Sequence, residues 1–149
     1  MSNIINPYRF AGEGPSGNYP EITPGSSAVV TDGDYKYAIF NGTESFEVDA
    51  TGDSSGSDEI TYLVIAGGGS GARSGYMGGG GGAGGYRAGT ETLNATGTGT
   101  ATVGGGGAIS TGANDTAGNN GDDSQIELPD FTQIDATGGG EGGYHDAVG

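Results

Sequence analysis

The stretch ITYLVIAGGGSGARSGYMGGGGGAGGYRAG, residues 60–89, decides how this chain folds. Ile60 to Ala66 form an apolar, β-branched run with the length of a buried strand. The 23 residues that follow, 67–89, include 13 glycines. That density excludes an ordinary helix, because each interior Gly costs roughly 1 kcal/mol relative to Ala and no apolar period offsets it.

Two readings of the tract are open. One is a flexible Gly/Ser linker. The other is an ordered object, because Tyr76, Met77, Tyr86 and Arg87 stand inside the tract as two anchors and linkers seldom carry large residues. Glycine runs without a collagen period can pack as extended left-handed helices with three residues per turn, provided neighbouring segments supply hydrogen bonds to the backbone. Glycine is then required, since side chains would hold the backbones apart. Tyr76, Met77, Tyr86 and Arg87 are the candidate contact residues, because aromatics and Arg give large contact area for few torsions. Their alternative role is as internal spacers between glycine helices.

The same composition recurs in order along the chain: TYLVIAGGG (61–69), GGGGGAGGYR (78–87), TATVGGGG (100–107), GNNGDDSQI (118–126) and IDATGGGEGG (134–143). This succession resembles the glycine-rich domain of tail-fibre and other virion proteins of bacteriophages. The resemblance covers residues 35–143 and lies in composition and order, with no catalytic signature behind it. In related phage adhesins, and in a glycine-rich domain of certain animal receptor kinases, such tracts form packed polyglycine helices. The resemblance therefore implies order here, a virion structural role and, for a fibre component, a trimer.

Composition bounds the alternatives. With 32% apolar residues and 36 glycines in 149, a large aliphatic core is not available. Gly and Pro at this level usually mark disorder, but eight Tyr and four Phe oppose that reading. Order is expected through backbone packing or oligomerisation. Cys is absent, which excludes disulfides and thiolate metal sites. No stretch approaches 18 apolar residues, and MSNIINPYRFAGEG lacks the basic start of a secretory signal. The expected location is the virion, assembled in a host cytoplasm, or else the extracellular space.

Four Lys and Arg against 19 Asp and Glu leave a net charge of −15, which argues against nucleic acid and anionic membrane as partners. The charge is segregated. Residues 13–59 carry ten acids and one Lys, residues 60–113 carry Glu91 against Arg73 and Arg87, and residues 114–149 carry eight acids and no base. The glycine-rich middle is nearly neutral and suited to packing.

Residues 1–28 hold Pro7, Pro15, Pro20 and Pro24 without a period of either kind, and read as an extended arm. Ile4, Ile5, Tyr8, Arg9 and Phe10 make that arm a candidate docking peptide for a partner subunit; the other reading is that they cover the chain's own core. From Ser26 the pattern turns to strands. AVVTDGDYKYAIF gives two runs about Asp32-Gly33, a dipeptide suited to a hairpin, and Phe46 and Val48 alternate with Glu47 and Asp49. ETLNATGTGTATV and QIELPDFTQIDAT add extended segments. The pair TYLVIAGGG and QIDATGGG echo each other, a strand emptying into glycine both times.

The expectation is a mainly β protein, a small antiparallel sheet or sandwich with little or no α-helix. Its parts are an N-terminal docking arm (1–28), a strand scaffold (29–66) and a glycine-rich domain with interspersed strands (67–149), which reads either as the retained part of something longer or as a naturally short protein. Catalysis has little to work with. His145 is the single His and lies beside Asp146 near the end of the sequence. Gly67, Gly69 and Ala72 fit a dinucleotide fingerprint in spacing, but no helix can follow them to hold phosphates. GNNGDDSQI resembles one copy of a calcium-binding nonapeptide, and Asp32, Asp34, Asp53 and Asp58 form an acidic set; turns with solvated acids are the plainer reading of both. No enzyme activity, cofactor or metal site is expected. The expected function is a phage virion structural protein, a tail-fibre or fibre-associated adhesin for host attachment, with partners among virion proteins, copies of itself and a host surface receptor. The alternatives are a capsid decoration protein and a self-assembling extracellular filament subunit.

Overall fold

The computed structural model of the chain describes residues 4–9, 18–33, 35–75, 77–111 and 115–144. Ten strands run in order: β1 (Ile4–Arg9), β2 (Pro20–Pro24), β3 (Val29–Asp32), β4 (Tyr35–Phe40), β5 (Glu44–Thr51), β6 (Glu59–Ile65), β7 (Tyr86–Thr92), β8 (Gly97–Thr102), β9 (Ser124–Glu127) and β10 (Gln133–Ala136). They form two five-stranded sheets, β3-β4-β1-β6-β7 and β10-β9-β8-β5-β2, with antiparallel pairing throughout. There is no helix among the described residues. The chain is all-β, as its alternating patterns predict. The sandwich draws β1 and β2 from residues 1–28, β3 to β6 from 29–66 and β7 to β10 from 67–149.

Period-two alternation sets the two faces of each sheet. Ile60, Tyr62 and Val64 of β6 and Ala38 and Phe40 of β4 turn inward from the first sheet. Ile22, Phe46, Val48, Ala101, Ile126 and Ile134 meet them from the second. Phe40 and Phe46 pack with ring centroids 5.9 Å apart. Gly99 faces inward on β8 because a Cβ there would strike the Phe46 ring. The expected hairpin at Asp32-Gly33 is present: Asp32 pairs with Tyr35 across Gly33, whose φ of 59° favours glycine.

The outer face of the second sheet gathers acids, and neutral donors hold them in place of the scarce bases. Thr98 donates to Glu47 at 2.9 Å, Thr23 to Asp49 at 2.7 Å and Gln125 to Asp135 at 2.6 Å. At the β2–β3 turn the Glu44 carboxylate accepts from the backbone and hydroxyl groups of both Ser26 and Ser27.

Ile4, Ile5, Tyr8 and Arg9 belong to β1, where the backbone pairs with β4 from Ile4↔Phe40 to Arg9↔Tyr35 and with β6 at Ile5↔Leu63. The segment read as an extended arm, either docking on a partner or covering the chain's own core, pairs within the chain's own sheet over residues 4–9, where β4 and β6 each offer a row of backbone groups that a strand between them satisfies. Phe10 lies outside the described residues.

Five glycine-rich segments leave the sandwich at one end. Segment I (66–73) follows β6, II (78–85) precedes β7, III (103–109) follows β8, IV (115–123) precedes β9 and V (137–144) follows β10. Ala66, Gly69 and Ala72 of segment I donate to the carbonyls of Gly85, Gly82 and Gly79 of II at 2.9 Å. Gly67, Ser70 and Arg73, one residue on, donate to Asp122, Asn119 and Thr116 of IV at 2.8–3.0 Å. Segment V completes the network: Gly139 and Gly142 donate to Gly67 and Ser70 of I, and its own carbonyls accept from II and IV. The I–II, I–IV, I–V, II–V and IV–V bonds repeat at three-residue intervals, the turn of a polyproline II helix, and segment III joins through Gly107 to Gly68 and from Asp122 to Gly105. The order anticipated for residues 67–89 is real, and the linker reading falls.

The pairings I–II, I–III, I–IV, I–V, II–V, III–IV and IV–V allow one arrangement: a layer III–I–II nested on a layer IV–V. Glycine is dictated where backbones face each other. A Cβ on Gly69 would fall on the Gly140 carbonyl, and one on Gly139 would fall on the Gly82 carbonyl. Gly67, read as part of a dinucleotide fingerprint, packs instead on the Gly105 carbonyl.

Gly139→Ala is therefore expected to cost about 3 kcal/mol or more by forcing two backbones apart. Gly80→Ala, with nothing within 4 Å of its Cβ, should stay within about 0.5 kcal/mol of the parent; thermal unfolding of the two variants side by side tests this. Burial pushes the Glu44 carboxyl up, but the Ser26 and Ser27 hydrogen bonds outweigh it and hold the group below its usual 4.5. A depressed acid stabilises the fold above its unfolded pKa and loses that contribution as pH falls through the folded one. Below pH 4.5 the Ser26 and Ser27 amide resonances should shift as the turn loosens, and Glu44→Gln should abolish the titration.

Candidate functional site

Segments I to V each span seven to nine residues, so at about 3.1 Å per residue the bundle projects about 25 Å from the sandwich. Its far end is where side chains replace glycine. The I–II turn, the III–IV connection and the end of V converge there. Arg73 and Thr116 exchange both backbone hydrogen bonds at 2.9 Å, and Gly78 forms a single antiparallel bridge with Tyr144. The Ser74 hydroxyl donates to the Asp115 carboxylate at 2.7 Å and accepts the Met77 amide at 3.2 Å. Asp115 sits at a φ of 67°, a left-handed conformation that Asp tolerates among non-glycines.

This clamp presents Met77 and Tyr144, which are 65% and 41% exposed, and Ile109, at the end of segment III, is 79% exposed. Met77 and Tyr144 on the clamp form the candidate site, with Ile109 a further exposed apolar side chain of the bundle. Such a surface offers apolar contact area beside the Ser74–Asp115 hydrogen bond. Met suits contact with varied partners because its unbranched side chain adapts its shape.

The sequence-predicted residues divide between the two ends of the bundle. Met77 lies at the tip. Tyr86 and Arg87 lie at the foot, at the start of β7, where Tyr86 is 71% exposed and the Arg87 guanidinium reaches the Asp135 carbonyl at 3.5 Å. The length of segment II separates the two anchors. Tyr76 lies outside the described residues, as does His145. Ile109 and Tyr144 were missed by the sequence reading, although Ile109 carries the same signal as Met77: a single large apolar residue in a run of small ones.

The acidic sets have other work. Asp123 accepts the Gly138 amide at 2.7 Å and Asp122 lines segment III, so the GNNGDDSQI stretch helps seat the bundle on the sandwich. Ser55 and Asn18 hydrogen bonds hold the Asp53 carboxyl below its usual value. No group of three His, Cys, Asp or Glu placed to hold a metal occurs among the described residues. At the sandwich end opposite the bundle, the Thr132 amide and Asn94 hold the Asp130 carboxyl low. Its neighbour Phe131 is 82% exposed at a φ of 65°, a strained conformation for an aromatic residue.

A β-sandwich that extends into a hydrogen-bonded polyglycine bundle is the architecture of a glycine-rich domain. The glycine-rich domain family matches residues 41–149, and the chain belongs to that family. No curated protein and no solved structure matches it.

Ser74→Ala removes the Ser74 hydroxyl's bonds to Asp115 and Met77, each worth about 1 kcal/mol, and leaves the Arg73–Thr116 backbone pair. Amide exchange should quicken in residues 73–78 while Gly69 and Gly82, inside the bundle, keep their protection. Uniform loss of protection across the bundle would refute the local role given to Ser74.

Proposed function

We propose that this chain is a structural protein of a bacteriophage virion, a tail-fibre or fibre-associated adhesin whose bundle tip meets the host surface. The single observation that carries the reading is the exposure of Met77 and Tyr144 at the end of the projecting bundle, with Ile109 exposed on segment III. Exposed apolar side chains on a soluble surface mark contact sites. The resemblance of the glycine-rich order to phage fibre proteins supplies the setting.

Attachment to the particle belongs, in this reading, to the opposite end of the sandwich, where Phe131 stands out from the β9–β10 turn. The chain then acts as a spacer with one apolar contact at each end. Its net charge of −15 keeps the rest of the surface from adhering to anionic cell envelopes.

Fluorescently labelled protein should bind saturably to cells of some strains in a panel of bacteria. Met77→Ser combined with Ile109→Ser should weaken that binding about tenfold or more, leaving the melting temperature unchanged. Binding to no strain, or binding indifferent to both substitutions, would dismiss the tip as the adhesive end.

A further inference from the structure

The two sheets present unlike outer faces. On the second sheet apolar and polar residues alternate, as they should where one face is wet, and Glu47, Asp49, Glu127 and Asp135 stand outward. The first sheet breaks that pattern. On β4 the inward Ala38 and Phe40 alternate with Tyr37 and Ile39, and on β6 the inward Tyr62 and Val64 alternate with Leu63 and Ile65. Leu63 pairs with Ala88 and Ile65 with Tyr86, so the same outer surface continues onto β7, where Tyr86 is exposed. Strands that are apolar on both faces belong to sheets covered on both sides. The sandwich covers one side of this sheet, and no described strand covers the other.

The face is graded along its strands. Tyr37, Ile39, Leu63, Ile65 and Ala88 occupy the half toward the bundle. The margin away from the bundle is polar, with Asp32 opposite Tyr35, Glu59 opposite Thr92 and Thr61 opposite Thr90. Asp32 and Glu59 are its acids among the described residues. Ile39 and Leu63 both pair with Ile5 of the central strand, so they stand at one level. Counting outward by two residues on each strand puts Asp32, Tyr35, Glu59 and Thr92 at another level.

We infer that this face is covered by the same face of a second copy, related by a two-fold axis that runs along the strands between the two sheets. Rotation about that axis lays β4 of one copy over β6 of the other and β3 over β7. Ile39 of each copy then meets Leu63 of the other. Glu59 meets Tyr35 and Asp32 meets Thr92, so each acid faces an uncharged residue. A two-fold across the strands would instead press the acidic margin onto the apolar half. Size favours the same mate: the inner face already packs on a five-stranded sheet, and the chain's own first sheet has that width. Five strands about 4.8 Å apart and about 20 Å long give a footprint near 480 Å², so two copies bring together about 1,000 Å², the area a specific interface needs. Charge favours it too. On a chain of net charge −15 the acidic second sheet repels its like, and the apolar face is where copies can approach. The inference does not depend on the proposed attachment role.

The test uses the full chain in sedimentation equilibrium over a range of concentrations. The parent should be dimeric, and its melting temperature should rise with concentration, because association stabilises the folded form by mass action. Leu63→Glu and Ile39→Glu should each weaken association about tenfold or more while the circular dichroism of the β-sheets is retained. Ser45→Glu adds the same charge to the outer face of the second sheet, where Ser45 is exposed, and should leave association unchanged. A parent that stays monomeric at its highest soluble concentration overturns the inference and gives the face to another protein; a parent that closes as a trimer overturns the two-fold. A dimer that survives both face variants, or one that Ser45→Glu weakens equally, overturns it as well. So does loss of the β spectrum in both face variants, which would show that Leu63 and Ile39 serve the single chain.

Discussion

Backbone hydrogen bonds repeated every third residue between glycine segments hold this structure together, and its other features follow from them. Segment I is the hub, since it bonds to each of the other four segments. In most domains side chains fill the space between elements, and burial of their apolar area drives assembly. Here the backbones themselves are the packing surfaces. Their approach is so close that a Cβ at Gly69 or Gly139 would overlap a carbonyl oxygen. That explains how a chain with 36 glycines keeps a fixed conformation despite the entropy glycine loses on folding.

The glycine segments carry few side chains to fix their own positions, and the sandwich fixes where each one begins. Its core of Phe40, Phe46, Ile60, Val64, Ile126 and Ile134 brings the ends of β6, β7, β8, β9 and β10 to one side. Each glycine segment is therefore tethered at a strand end in register with its neighbours. Ala66 and Ala136, both buried, mark the passage from side-chain packing to backbone packing. Beyond them the cross-section loses its apolar filling and the backbone network takes over.

The charge distribution is a consequence of the same constraint. Acidic side chains have no room between polyglycine helices, so they collect on the second sheet and the connecting turns. With four basic residues in the chain, the acids rely on Thr, Ser, Gln and Asn donors for partners. Such neutral hydrogen bonds order turns without the wide salt sensitivity of ion pairs. Segments II and III carry no charge, while Asp115, Asp122, Asp123 and Glu141 of segments IV and V stand exposed on the bundle's surface.

Much of this was legible in the chain itself. Period-two alternation around Phe46 and Val48 and the run from Ile60 to Ala66 predict strands, the hairpin at Gly33 needs a residue at home with positive φ, and glycine density excludes helix beyond Ala66. Those are local properties, fixed by sterics within a few residues. Met77 as an exposed anchor follows from the same reasoning, and Ile109 was within its reach. Residues 4–9 show the limit. The prolines and aromatics of residues 1–28 read as an extended arm with two open destinations, a partner or the chain's own core, and the space between β4 and β6 makes a central strand of residues 4–9. The partners of each glycine segment were equally hidden, because glycine carries no side chain to encode a preferred neighbour. Local sequence determined that these residues extend; only the sandwich, by setting where each segment begins, decided which backbone faces which.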